Sequence, residues 1–357
     1  MHFKNITKLF DLNKLLRENI KKVVPYSSAR DEYKGTEGVF LDANENSFGS
    51  ALNPAYNRYP DPLQRDLKDK IAALKRVKPE QIFLGNGSDE PIDLLVRAFC
   101  NPGKDNIITL PPTYGMYEVS AHINDVAVKE VHLTEDYQLQ PDKILAAVDA
   151  NTKIIFICNP NNPTGNAMRA SDITKVITGF DGIVAIDEAY IDFAPDKSFM
   201  RKLSEYPNII IFQTFSKAWG MAGLRLGMAF ASEEIIKVLN KIKAPYNINA
   251  ITQKLVSEGM DNLLQKELMV EHILDNREKL AEDLKKMPVV VKVHPSDTNF
   301  LLVKTKDANK TYQFLVTNKI ITRNRHNVTL CEGSIRITVG TDEENEKLIS
   351  TLKSFNL

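Results

Sequence analysis

The chain has 357 residues, of which 43% are hydrophobic, enough for one large and one smaller domain with a substantial core. Lysine plus arginine and aspartate plus glutamate both number 46, and this zero net charge argues against nucleic acid or an anionic membrane as a partner. Three cysteines without short spacing argue against a disulfide framework or a metal cluster and favour buried, reduced thiols in the cytoplasm.

The N-terminal twenty residues mix charged and apolar positions in a pattern that predicts a short amphipathic helix. Leu12, Leu15 and Ile20 are among its apolar positions. No apolar stretch is long enough for a signal peptide or a transmembrane helix. We expect residues 1–58 to form an N-terminal segment that packs with the smaller domain.

Between residues 59 and 245, short apolar runs alternate with helical patterns such as 90–100 and 141–148. The runs are apolar at consecutive positions, which suits strands buried on both faces of a mainly parallel sheet. The alternation predicts a large α/β domain over residues 59–245. The predicted strands comprise residues 81–84, 106–110, 126–133, 153–158, 182–186, 208–215 and 226–231.

The pattern changes after Pro245. Residues 248–287 are polar and helical in pattern, and a final helix is predicted at 342–355. Residues 246–357 therefore predict a smaller α+β domain. Its predicted strands are residues 289–293, 299–303, 320–322 and 335–339.

Potentially reactive side chains follow three consecutive predicted strands. Asn162 comes after the strand at 153–158, Asp187 and Tyr190 come after the next, and Lys217 comes after the third. In open α/β sheets, ligands bind beyond the carboxyl ends of the strands. We therefore expect these four side chains to converge on one crevice.

The four side chains match the needs of pyridoxal phosphate (PLP) chemistry. That chemistry requires an amine to form an imine with the aldehyde and a carboxylate to keep the pyridine nitrogen protonated. Lys217 can be that amine and later the base, and Asp187 can pair with the pyridinium. Asn162 and Tyr190 can donate hydrogen bonds to the ring oxygen.

A phosphate cradle is predicted where residues 84–91 leave a strand and open a helix. Ser88 suits the N-cap, the glycines allow close approach of the backbone, and a helix N-terminus favours an anion. Thr214, Ser216 and Arg225 stand close to the lysine in the sequence. Each feature alone has an ordinary explanation, such as a turn or a surface ion pair, and their joint occurrence at strand ends favours a site.

These residues resemble those of the fold-type I PLP aminotransferases of class I and II, and within them the histidinol-phosphate aminotransferases. The resemblance covers nearly the whole chain except the first twenty or so residues and residues 249–288. Two departures are small: Trp219 stands where phenylalanine is commoner, and Ser47 where proline often follows the Asn-Glu-Asn run. The matching motifs are Val24-Pro25-Tyr26 to Ala29-Arg30, Leu41-Asp42-Ala43-Asn44-Glu45-Asn46, Arg58-Tyr59-Pro60-Asp61-Pro62, Pro111-Pro112-Thr113-Tyr114-Gly115-Met116-Tyr117, Asn162-Pro163-Thr164-Gly165, Asp187-Glu188-Ala189-Tyr190, Ser216-Lys217-Ala218, Gly223-Leu224-Arg225-Leu226-Gly227 and Gly333-Ser334-Ile335-Arg336-Ile337-Thr338-Val339-Gly340-Thr341.

The resemblance implies residue roles and an assembly. Arg336 would bind the acidic group of the substrate with help from Arg323, and Tyr26 and Asn44 would lie near the substrate. Tyr59 would reach the cofactor phosphate of the neighbouring subunit, which implies a twofold homodimer with shared sites. The implied cofactor contacts are Lys217 as the Schiff-base lysine, Asp187 at the pyridine nitrogen, Asn162 and Tyr190 at the ring oxygen, Tyr114 stacked on the ring, and Ser88, Asp89, Thr214, Ser216 and Arg225 around the phosphate.

The implied reaction transfers the amino group of L-histidinol phosphate to 2-oxoglutarate, giving imidazole acetol phosphate and glutamate in histidine biosynthesis. An arginine fork can grip a carboxylate or a phosphate, so Arg323 and Arg336 on two successive predicted strands suit both substrates. A solvated cation at a strand end is the alternative for Arg323. Two half-reactions through one site predict ping-pong kinetics.

Other functions stay open from sequence alone. An aromatic amino-acid aminotransferase and a threonine-phosphate decarboxylase share the fold, and the decarboxylase also handles an amino phosphate. The motifs at 41–46, 58–62 and 111–117 favour the histidinol-phosphate enzyme. A PLP-binding regulator would need an attached DNA-binding domain, for which too few residues precede Tyr26. Residues 325–330 carry no motif that can be interpreted.

Overall fold

The computed structural model describes residues 10–26, 38–52 and 56–355. The predicted apolar positions before residue 10 and the motif residues Ala29 and Arg30 lie outside this part. The larger sheet has seven strands: β1 (Ile82–Asn86), β2 (Asn106–Thr109), β3 (Ala127–Glu130), β4 (Thr152–Cys158), β5 (Ile183–Asp187), β6 (Ile209–Thr214) and β7 (Leu226–Ala231).

The larger sheet runs in the order β1-β7-β6-β5-β4-β2-β3. It is mainly parallel, and β7 alone is antiparallel to both of its neighbours. Side chains alternate along β4, with Ile155 and Ile157 in one hydrophobic core and Ile154 and Phe156 in another. Both faces are therefore covered, which explains the consecutive apolar runs and confirms the predicted α/β architecture.

Helices cover both faces of this sheet and one face of a smaller one. Their bounds are α1 (Leu12–Leu15), α2 (Glu18–Lys22), α3 (Arg65–Lys75), α4 (Asp89–Phe99), α5 (Met116–Ile123), α6 (Pro141–Ala146), α7 (Ala170–Gly179), α8 (Glu233–Ile242), α9 (Ala250–Met260), α10 (Leu263–Lys285), α11 (Ala308–Thr317) and α12 (Asp342–Lys353).

The described N-terminal residues pack on the large domain. Leu12 and Ile20 are buried in the core that α4 and α8 form with the larger sheet. The Arg17 backbone N–H donates to the Ala98 carbonyl at 3.2 Å. The expectation of packing with the small domain is therefore corrected for residues 12–22, because their apolar side chains complete the large-domain core.

The smaller sheet is antiparallel and has four strands: β8 (Val290–Val293), β9 (Phe300–Thr305), β10 (Arg323–Asn324) and β11 (Ser334–Thr338). Their order is β10-β11-β9-β8, and the sheet has its own hydrophobic core beneath α10, α11 and α12. The strand predicted at 320–322 forms a little later, and the helical pattern at 248–287 divides into α9 and α10. Helix α11 was not predicted, although Asp307 caps it by accepting the Lys310 N–H at 2.9 Å.

Hydrogen bonds join the two sheets near the carboxyl edge of the larger one. The Asp297 N–H donates to the Gly165 carbonyl at 2.7 Å, and its carboxylate accepts the Ala167 N–H at 2.7 Å. The Tyr137 hydroxyl donates to the Leu330 carbonyl at 2.9 Å. These contacts hold β10 and β11 beside the strand ends of the large domain.

Cys100, Cys158 and Cys331 are all buried and unbridged. Across the described ranges, no helix has the length and apolar character to cross a bilayer. The same residues hold no group of three or more histidine, cysteine or carboxylate side chains placed to bind a metal.

Gly227 lies where β7 passes closest to the turn after β1. A Cβ there would sit 2.3 Å from the Gly87 carbonyl carbon and from the Ser88 nitrogen, both backbone atoms that cannot rotate away. We expect Gly227→Ala to lower the melting temperature by about 1–4 °C, since such overpacking costs about 1–3 kcal/mol. Gly223→Ala is the matched control, because its added Cβ meets nothing within 4 Å. Equal melting temperatures for the two variants would contradict the prediction.

Candidate active site

A cavity of about 670 Å³ opens at the carboxyl ends of β4, β5 and β6. Asn162, Asp187, Tyr190 and Lys217 all line it, so the structure brings together the four predicted side chains at or just beyond the ends of these strands. Strand β7 runs in the opposite direction, so its amino end brings Arg225 to the same edge.

Asp187 is the buried carboxylate of the cavity, with 2% of its surface exposed. One carboxylate oxygen accepts the Ala189 N–H at 3.0 Å, and the other accepts the Tyr117 hydroxyl at 2.6 Å. Burial raises the pKa of Asp187 to about 6, while these hydrogen bonds act to lower it. A cation placed beside Asp187 in the cavity would therefore stabilise the ionised form of this carboxylate.

Tyr117 is a contact of Asp187 that sequence reasoning missed. It is fully buried and stacks on Phe156 with 4.6 Å between ring centres. Burial and the neighbouring carboxylate raise its pKa, so it stays a neutral hydroxyl donor. It lies in the matched motif around Tyr114, but its pairing with a residue 70 positions away is a tertiary feature.

We expect Tyr117→Phe to lower kcat about 5–150-fold, because a hydrogen bond to a charged group is worth roughly 1–3 kcal/mol. Without the hydroxyl, the pKa of Asp187 should rise further, since this bond lowers it. The pH dependence of the bound cofactor's absorbance would report that rise. A loss of kcat without a shifted absorbance profile would contradict a positioning role for Tyr117.

The Lys217 amine lies 5.5 Å from the centre of the Tyr190 ring. Desolvation lowers the pKa of Lys217, and the nearby Arg336 lowers it further, while Asp187 acts in the opposite direction. A lowered pKa raises the fraction of neutral amine, which is the nucleophilic form. Lys217 and Asp187 thus supply an amine and a carboxylate to one cavity.

Asn162 and Tyr190 stand between the lysine and the small domain. The Asn162 amide oxygen accepts a short hydrogen bond from the Arg336 guanidinium, which leaves the amide nitrogen as its donor. Tyr190 packs edge-on against Phe300 with 5.2 Å between ring centres. Burial raises the pKa of Tyr190, so its hydroxyl is a donor at neutral pH.

The opposite end of the cavity has the features of a phosphate cradle. Gly87 has a φ of +70°, and a Cβ there would come within 2.6 Å of the Arg225 guanidinium. Ser88 occupies the N-cap position of α4 but makes no capping hydrogen bond with its side chain. The Thr214 and Ser216 hydroxyls lie 3.0 Å apart. Helix N-terminus, hydroxyls and guanidinium together fit the phosphate of PLP.

Tyr114 and Asp89 form one wall of the cradle. The Tyr114 hydroxyl donates to the Asp89 carboxylate at 3.1 Å, and the same carboxylate lies 3.6 Å from Arg225. Both residues line the cavity. These contacts therefore fix the position of the Tyr114 ring from the phosphate end of the cavity.

Three arginines line the end of the cavity nearest the small domain: Arg323, Arg325 and Arg336. Arg323 on β10 lies directly opposite Arg336 on β11. The Arg336 guanidinium also lies over the Phe300 ring at 5.2 Å from its centre. Arg325 is the second residue that sequence reasoning missed, because the pattern of residues 325–330 gave no sign of a strand face.

Tyr26, Asn44 and Tyr59 do not line this cavity. Tyr26 is 74% exposed and Tyr59 is 52% exposed. Asn44 and Tyr59 line a second cavity of about 450 Å³, where the Tyr59 ring stacks on Tyr246 with 4.5 Å between centres. Within one chain, these three residues therefore contribute nothing to the site that holds Lys217.

The sequence and the fold of this chain are both similar to those of known proteins. The family described as aminotransferase class I and II matches residues 32–352. A histidinol-phosphate aminotransferase from Cytophaga hutchinsonii is 59% identical over 97% of this chain and 99% of its own, and one from Bacteroides thetaiotaomicron is 51% identical over 96% and 99%. The crystal structure of the histidinol-phosphate aminotransferase from Clostridium acetobutylicum superposes with a TM-score of 0.78 at 26% identity, covering 84% of this chain and 90% of that one.

Proposed function

The chain belongs to the class I and II aminotransferases, which depend on PLP, and we propose that it transfers the amino group of L-histidinol phosphate to 2-oxoglutarate. The products are imidazole acetol phosphate and glutamate, and the reaction belongs to histidine biosynthesis. The observation that carries a phosphate-bearing amino donor is the pairing of Arg323 with Arg336 across β10 and β11, facing the cavity that holds Lys217. The relatives at 59% and 51% identity, both histidinol-phosphate aminotransferases, favour histidinol phosphate as that donor.

PLP supplies an aldehyde that takes up the amino group and a ring that withdraws electrons from the reacting carbon. The amine of Lys217 would hold the aldehyde carbon and, when free, would serve as the base that moves the proton of the substrate carbon. The carboxylate of Asp187 would keep the pyridine nitrogen protonated. Tyr190 and Asn162 would donate hydrogen bonds to the ring oxygen.

The remaining roles follow from position in the cavity. The Tyr114 ring would stack on the cofactor ring. The groups that surround the phosphate are Ser88, Asp89, Thr214, Ser216 and Arg225.

Arg336 is the anchor for the acidic group of each substrate. Histidinol phosphate carries a phosphate monoester where an amino acid carries its carboxylate, so one guanidinium must grip both in turn. A phosphate near its second pKa carries up to two charges, and Arg323 supplies a second cation beside Arg336.

The direct test is glutamate formation from 2-oxoglutarate with three amino compounds: histidinol phosphate, phenylalanine and threonine phosphate. We expect rapid glutamate formation with histidinol phosphate and parallel lines in initial-rate plots. Turnover of phenylalanine alone would reassign the enzyme to aromatic amino acids. Release of carbon dioxide from threonine phosphate alone would reassign it to the decarboxylase, the second candidate, because the arginine pair suits that amino phosphate equally.

The enzyme works as a twofold homodimer in which Tyr59 reaches the cofactor phosphate of the partner subunit, and Tyr26 and Asn44 lie near the partner's substrate. The exposure of these three residues supports this arrangement, because all three lie outside the cavity of their own chain. Large apolar side chains close to them in the sequence are also exposed, among them Leu41, Phe48 and Leu52.

Mixing two inactive variants tests the shared site. Tyr59→Ala and Lys217→Ala each damage every site of their own dimer, but a mixed dimer has one site with both residues intact. We expect activity to reappear when the two are unfolded together and refolded. An activity of the mixture no greater than the sum of the two parent activities, or a monomer in sedimentation, would contradict a dimer with shared sites.

The three buried, unbridged cysteines suit a reducing cytoplasm, where we place the enzyme.

A further inference from the structure

Arg325 continues the β10 ladder and points to the same side as Arg323. Its backbone N–H donates to the Ser334 carbonyl at 2.9 Å, two residues along the ladder from the Arg323 and Arg336 pair. Residues two apart on a strand share a face. Arg323, Arg325 and Arg336 therefore aim at one end of the cavity, and all three line it.

This cluster of cations has no protein counterion in the described part of the chain. None of the three arginines has a carboxylate within 4.0 Å there. Desolvation, followed by the charges of Arg336 and Arg323, lowers the pKa of Arg325 to about 10. Its Nε atom is also buried without a hydrogen-bond partner. An unpaired N–H and three neighbouring cations favour the binding of an anion at this end of the cavity.

The loop that carries Arg325 is fixed against the large domain. Cys331 belongs to the large-domain core, and Val328 and Leu330 pack on it. The His326 N–H donates to the Asn324 side chain at 2.8 Å, and the His326 ring accepts the Gly333 N–H at 3.1 Å. A guanidinium held in this way loses little freedom when it binds a ligand.

We propose that Arg325 is a third contact for the phosphate of the amino donor and sets the preference of this site for a phosphate dianion over a carboxylate. The proposal rests on the proposed function and adds a specificity-determining residue to it. A carboxylate has one charge and two oxygens, which Arg336 and Arg323 can satisfy. A phosphate monoester has a third oxygen and a second charge, and Arg325 supplies the matching donor and cation.

The test compares half-reactions of the PLP-loaded enzyme, followed by cofactor absorbance, for wild type, Arg325→Gln and Arg325→Lys. For Arg325→Gln we expect kcat/KM to fall about 10–100-fold with histidinol phosphate and at most about threefold with glutamate or with histidinol, which lacks the phosphate. Arg325→Lys keeps the charge and should recover part of the loss. Arg201→Gln removes an exposed arginine outside the cavity and should change none of these values.

The pH profile separates a binding role from a purely structural one. In wild type, kcat/KM with histidinol phosphate should rise as pH increases through about 6, where the dianion forms, and Arg325→Gln should lose most of that rise. Equal losses for the phosphate and carboxylate substrates, or no loss for either, would overturn the proposal.

Failure of the proposed function can be told apart from failure of this inference. If the wild type does not turn over histidinol phosphate, the proposed substrate is wrong whatever the variant does. Competitive inhibition of the glutamate half-reaction by inorganic phosphate then tests Arg325 by itself, since bound PLP already fills the cofactor cradle. We expect the inhibition constant of Arg325→Gln to rise about tenfold, and an unchanged constant would overturn the role of Arg325.

Discussion

Replacing Lys217 with alanine should lower kcat for glutamate formation by about 10⁴-fold or more. Proton transfer by a placed base contributes about 10²–10⁴-fold, and the substitution also removes the amine that holds the aldehyde carbon. The lysine lines an open cavity and belongs to no described ion pair, so the fold should tolerate its loss. Single-turnover mixing with histidinol phosphate measures the effect directly.

The matched control is Lys254→Ala, which removes an exposed lysine on α9 and should leave kcat unchanged. The absorbance of bound cofactor provides a second readout, because Lys217→Ala cannot form the imine that gives PLP its colour in the resting enzyme. Turnover within tenfold of wild type, with an unaltered spectrum, would remove Lys217 from the chemistry.

The placement of Lys217 could be predicted because it depends on a local pattern. Strands buried on both faces are apolar at consecutive positions, so β5 and β6 were recognisable and their carboxyl ends could be located. Parallel strands then bring Asp187 and Lys217 to one edge without any knowledge of side-chain contacts. The same reasoning gave the phosphate cradle, since a strand, glycines and a helix follow one another in the chain.

Other features depend on contacts that no local pattern contains. Arg325 joins the cavity only through the pairing of β10 with β11, and β10 is too short to show a strand period. The Tyr117 bond to Asp187 links α5 to the end of β5. The N-terminal helices have an apolar side, but the sequence does not say which core accepts it. Long-range pairing, rather than secondary structure, limited the prediction.

Replacing Asp187 with asparagine should lower the turnover of the enzyme and raise the stability of its folded state. An asparagine is nearly the same size but cannot hold a proton on the pyridine nitrogen by charge, so we expect kcat to fall about 10²–10³-fold. The cofactor-free protein should become more stable at pH 8. Burial raises the pKa of Asp187 from 3.8 to about 6, a difference of about two units, which corresponds to roughly 1–3 kcal/mol against the ionised form.

The sign of that stability change depends on pH. A raised carboxyl pKa means that the folded state binds the proton more tightly than the unfolded state, so wild-type stability falls as pH rises from about 4 to about 6. Asp187→Asn removes that fall, and its advantage should be present above pH 6 and vanish below pH 4. Thermal unfolding of the cofactor-free proteins between pH 4 and pH 8 measures it.

Glu188→Gln is the matched control for Asp187→Asn, because Glu188 is equally buried beside it and does not line the cavity. Burial raises the pKa of Glu188 to about 7, so its replacement should also stabilise the cofactor-free protein at pH 8. Its effect on kcat should stay within about threefold, because Glu188 bonds Ser198 and Gln213 and not the cavity. If both variants gain stability and only Asp187→Asn loses turnover, the buried charge at Asp187 is retained for chemistry at the expense of stability. If Asp187→Asn keeps its turnover, the pyridine nitrogen has another partner.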